Sequence, residues 1–196
     1  MRLIKFLKEN IRKEIIIGFI IILFILWSFI LVYYSPQKIV SMIGTNNGYL
    51  IVFVLGIIGG TAILIPFPYY IFIITFGAGG LNPFLLGIFA AIGDMIGDST
   101  SYGIGYHGSI ILSGKIQKKI NKFAKHCSTK SNFILLSLFL FLYGALIPIP
   151  NDVVILPLSA AKYKYWKLMI PLGLGNIVFD TLLAFSGFYG WHLFFG

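Results

Sequence analysis

Charge is what this chain has least of. Only 11% of its 196 residues are charged, six of those are acids, and no arginine follows Arg12. The one cysteine, Cys127, rules out a disulfide framework and reads as an inert juxtamembrane thiol, with palmitoylation as the alternative. The three histidines, His107, His126 and His192, share no metal-ligand spacing with Cys127 or with an acid, so neither a metal nor another cofactor is expected. An intramembrane enzyme such as a lipid phosphatase would need a nucleophile with histidine and arginine partners, which the chain lacks. The glycines of "GIGYHG" have neither the spacing nor the preceding strand of a phosphate-binding loop. With no low-complexity linker, the length suits one compact domain.

What fills the chain instead is apolar: 58% of residues, with a mean hydropathy of +0.93, the composition of an integral membrane protein. The net charge of +9 sits in clusters. Arg2, Lys5, Lys8, Arg12 and Lys13 precede the first apolar run, Lys115 to Lys130 fill a central polar loop, and Lys162, Lys164 and Lys167 form a third group. Basic short loops mark the cytoplasmic side of a membrane, so all three groups are expected inside. Lysines facing anionic head groups explain the charge without nucleic acid, for which no binding motif is present. The loop "SGKIQKKINKFAKHCSTK" is expected to lie on the inner surface through Ile116, Ile120 and Phe123.

The apolar runs set out a cell-membrane protein of several passes. Residues 1–14 read as a cytoplasmic basic segment and 15–34 as a transmembrane anchor, too long for a cleaved leader. Residues 35–48 are a polar connector that could form a short interfacial helix. Residues 49–108 hold an apolar stretch interrupted at Pro66 and Pro68 and then a span carrying two aspartates. A basic cytoplasmic loop, 109–130, leads to 131–195, where Pro148 and Pro150 interrupt a second stretch before the last span.

The second half lies on the first at an offset of 82 residues without a gap. Leu64, Ile65, Pro66 and Pro68 fall on Leu146, Ile147, Pro148 and Pro150; Gly93 falls on Gly175, Asp98 on Asp180, and Gly105 and Gly108 on Gly187 and Gly190. Asp94 meets Asn176. This is read as an internal repeat. Because the basic groups all belong inside, 49–80 must enter and leave on the outer face and 132–161 on the inner, with the carboxyl terminus outside. The expected fold is therefore all-α: an inverted repeat of two proline-broken re-entrant hairpins, each followed by a transmembrane helix, behind an amino-terminal transmembrane helix.

Four aspartates stand inside apolar sequence: Asp94, Asp98, Asp152 and Asp180. Each costs about 2.5–3.5 kcal/mol at a membrane helix centre on insertion scales, so they are expected to face protein or a wet cavity and to bind substrate or exchange protons. Asp94 and Asp98 are four apart on one helix face, with Tyr102 a turn further on. No cation stands beside them, and like charges at that spacing repel. Hydrogen bonding to freed backbone is their structural alternative. Asp152 follows the second proline pair, where it could cap the restarting helix or couple transport; Asn151 can play either part. Gly93 and Gly97 form a small-residue seam for helix packing.

The tip "LIPFPYY", the helix "GDMIGDSTSYGIGYHG" and the second tip "YGALIPIPND" resemble the DedA family, also called the VTT-domain or SNARE-associated Golgi family, over about 55–190. The resemblance implies a flippase or scramblase moving polyprenyl-phosphate carriers or phospholipids between leaflets, often driven by protons, with membrane lipids as partners. It departs from the family where acids would fall at Thr61 and Tyr70, and arginines at Tyr106, Ala145 and Asn151. Without a core arginine, contact with a head group passes to lysine, backbone N–H groups or polar side chains. A secondary transporter of a small solute or ion is the alternative, and a homo-oligomer stays open.

Overall fold

The computed structural model describes residues 18, 20–61, 68–108 and 130–195. The basic central loop up to residue 129 and the amino-terminal basic segment lie outside them, as does Pro66. Every described element is a helix, and no strand occurs among the described residues. In chain order these are α1 (Ile20–Tyr33), α2 (Pro36–Ile43), α3 (Thr45–Gly60), α4 (Tyr70–Ala78), α5 (Pro83–Gly108), α6 (Lys130–Leu146), α7 (Asp152–Ala160) and α8 (Tyr165–Phe195).

Local chemistry explains the boundaries. Ser35 caps α2, its side chain accepting the Lys38 N–H at 3.3 Å, Pro36 supplies a preset φ, and Gly44 ends the helix at φ 88. The 35–48 connector is thus mostly helical. A turn through Gly80, at φ 92, leads to Asn82, whose Oδ1 accepts the N–H groups of Phe84 and Leu85 at 3.0 and 3.3 Å and starts α5 ahead of Pro83. Leu146 ends α6 just before the residue preceding Pro148, which cannot continue the helix. Pro157 and Pro171 are instead accommodated inside α7 and α8.

Two helices, Pro83–Gly108 and the Tyr165–Trp191 part of α8, are long and apolar enough to cross a membrane, and α1 with α2 would make a third if that pair, bent by 93°, is one span. At 1.5 Å per residue the 26 residues of α5 reach about 39 Å. By the same rise the 16 residues of α3 reach only about 24 Å and the nine of α4 or α7 about 14 Å.

α5 and α8 pack together in the centre. They run antiparallel: Phe84 meets Phe185 at 5.1 Å at one end, whereas at the other Ser99 and Tyr165 share a 2.6 Å hydrogen bond. The start of α3 and the end of α4 meet at the first end, where the Asn82 N–H donates to Tyr49 Oη at 2.9 Å and Leu81 lies against Gly48. The start of α6 and the end of α7 meet at the second. There Lys167 stands 4.4 Å over the Phe133 ring, Lys162 reaches Tyr106, and the Tyr102 hydroxyl donates to the Tyr163 carbonyl at 2.6 Å.

The short helices pack crosswise. α3 lies on α5 but α4 on α8; α6 lies on α8 but α7 on α5. Glycines make these approaches possible. A Cβ at Gly187 would strike the carbonyl of Ile74, and one at Gly105 the carbonyl of Leu156, a pair of contacts related by the same offset of 82 residues. Gly93 and Gly97 abut the backbone of Phe53, Ile57 and Gly60, the helix seam expected of them.

Candidate functional site

Where the broken helices approach α5 and α8 the fold leaves a cavity of about 290 Å³. Both tips contribute to it: Pro68, Tyr69 and Tyr70 from the first, and Pro148, Pro150, Asn151 and Asp152 from the second. α5 supplies Asp94 and Asp98, α8 supplies Asn176, Phe179 and Asp180, and Gly59, Gly60 and Gly144 let backbone form the wall. Asp94 is the twelfth residue of the 26-residue α5, so the cavity lies near the helix midpoint.

The polar contacts centre on Asp94. Its Oδ2 accepts from Asn176 Nδ2 at 2.8 Å and from Asn151 Nδ2 at 3.2 Å. The same Asn151 amide donates to Asp98 Oδ2 at 2.8 Å, so one side chain at the second tip clamps both carboxylates of α5. Asp94 and Asn176 are repeat counterparts, 82 residues apart. Their bond joins the two halves of the chain at the cavity.

The remaining acids have fewer partners. Asp180 is fully buried, and neither carboxylate oxygen has a hydrogen-bond partner among the described residues. Asp152 is half-buried with Oδ1 equally unpartnered. The capping alternative for Asp152 is not realised: it lies in the first turn of α7, Asn151 is the N-cap residue, and no side chain caps this helix. Aromatic rings close one side, with Tyr69 and Tyr70 at 4.3 Å and Tyr70 edge-on to Phe179 at 5.5 Å. None of the described lysines lines the cavity.

The structure thus brings together Asp94, Asp98, Asp152, Asp180, Asn151, Asn176, Pro68, Pro148 and Pro150. It does not bring Tyr102, which is one turn too far along α5 and packs with Tyr106 and Tyr165 at the basic end. The sequence reading missed Tyr69 and Phe179 as wall residues. Subtracting the repeat offset from Asn151 gives Tyr69, so the repeat already contained that signal.

A family model described as the VTT domain matches residues 65–189. No curated protein and no solved structure matches the chain.

Proposed function

Because the chain belongs to the VTT-domain (DedA) family of membrane proteins, we propose that it moves lipid between the leaflets of a cell membrane as a multi-pass protein. The observation that carries this reading is the cavity shared by both tips at the middle of two membrane-length helices. A head group crossing the bilayer needs polar partners at that depth while its chains stay in lipid, and broken backbone is tolerated there only against protein or water.

The hairpins are read as re-entrant and inverted. Each begins and ends at one end of the molecule, the two use opposite ends, and their arms are too short to span about 30 Å of hydrocarbon. The basic end, bearing Lys162, Lys164 and Lys167, is then cytoplasmic. Asp98 and Asp152 are the candidates for proton exchange, being the acids nearest the second tip.

Reconstitution tests the proposal. Leaflet-resolved exchange of fluorescent phospholipids in proteoliposomes should exceed that of empty liposomes, and respond to an imposed pH gradient if it is proton-driven. No exchange above the empty control for any head group would reject lipid translocation.

A further inference from the structure

The cavity carries a mismatch. It gathers four carboxylates, yet the side chains that donate to them among the described residues are all neutral: the amides of Asn151 and Asn176 and the hydroxyl of Tyr69 beside Asp94. Asp180 is completely buried with both oxygens unpartnered, and Asp152 presents a third unpartnered oxygen. An unpaired buried acid is costly, and a group that donates hydrogen bonds or carries positive charge removes that cost. No described lysine lines the cavity, and three of them are engaged elsewhere: Lys38 lies 5.3 Å over Tyr34, Lys162 over Tyr106 and Lys167 over Phe133. The aromatic wall of Tyr69, Tyr70 and Phe179 adds π faces of the kind that receive ammonium groups.

We infer that this cavity takes an ammonium group, the cationic part of a zwitterionic head group or of a small organic cation, seated between Asp180, Asp152 and the aromatic wall. A bare phosphate would meet carboxylates instead of donors. At about 290 Å³ the space suits one head group, below the roughly 300–1,000 Å³ of sites for drug-sized ligands. The inference rests on the reading of this cavity as the crossing point.

The test uses the full-length protein in two arms. In detergent, tetramethylammonium, choline and ethanolamine should raise the unfolding midpoint and bind in equilibrium dialysis, whereas inorganic phosphate should do neither. Asp180→Asn should weaken ammonium binding about tenfold or more, the scale of one charge-assisted contact. Should that variant fail to fold, Tyr70→Leu serves in its place, losing affinity that Tyr70→Phe keeps. In liposomes, acyl-labelled phosphatidylcholine and phosphatidylethanolamine should exchange faster than phosphatidylglycerol.

Binding of choline with no lipid exchange would assign the site to a free cation, sustaining the inference while removing the leaflet reading. Exchange led by phosphatidylglycerol, without ammonium binding, would overturn the inference and leave the leaflet reading standing. Undiminished ammonium affinity in Asp180→Asn would also overturn it.

Discussion

Asn151→Leu removes the amide that bridges Asp94 and Asp98 while nearly conserving volume. Two contacts to carboxylates disappear, at 2.8 and 3.2 Å. A hydrogen bond to a charged group contributes about 1.5–3 kcal/mol, but Asn151 is half-buried and water can take over part of its role, so the combined loss should be about 2 kcal/mol. For a chain of this size that corresponds to a drop in melting temperature of about 4–8 °C. Asn176→Leu removes one donor at 2.8 Å from the same Asp94 oxygen. The two changes share that oxygen, so they should be non-additive, with a coupling of about 0.5–3 kcal/mol. Thermal melts of the two single variants and the double variant, followed by circular dichroism in one detergent, measure both quantities. A melting point for Asn151→Leu within about 1 °C of the parent, together with strict additivity, would show that the clamp does not hold the site.

Asp180→Leu removes a buried carboxylate with no partner, so it should raise the melting temperature while lowering lipid exchange; a destabilised variant would contradict the unpartnered state. Asp98→Asn and Asp152→Asn keep most hydrogen bonding and remove titration. Both should insert normally and lose the pH response of flux, and full retention of that response in both would reject proton coupling through them. Gly105→Leu should cost about 1–3 kcal/mol by collision with α7, whereas Gly103→Ala, with open space around it, should be neutral or stabilising; equal melting points would refute the close approach. For topology, a cysteine at Asn82 should be labelled from outside intact cells and one at Lys164 only after permeabilisation. The reverse pattern would invert the proposed orientation.

Much of the site was legible because acids are so scarce. An aspartate in an apolar span has few tolerable surroundings, so the sequence alone directs Asp94, Asp98, Asp152 and Asp180 to a protein interior or a wet cavity. The prolines fixed the breaks for a similar reason, since Pro148 forbids continuation of α6. Other features depended on tertiary contacts that no local pattern reports. The bend between α1 and α2, the clamp made by Asn151 and the use of Tyr102 as a pin on Tyr163 are set by which helices meet. Tyr102 has the periodicity of the aspartate face, but rise along α5 separates it from the cavity by more than a turn.

The crosswise packing of the short helices has a consequence for folding. Each half of the chain leaves α4 or α7 resting on a long helix made by the other half, so neither half can finish burying its own residues. Among the described residues no seam divides the molecule into two independently stable pieces. Unfolding should therefore be a single cooperative event in spite of the sequence likeness of the two halves. During synthesis α4 must wait for α8, about a hundred residues later, before it finds the surface that holds it.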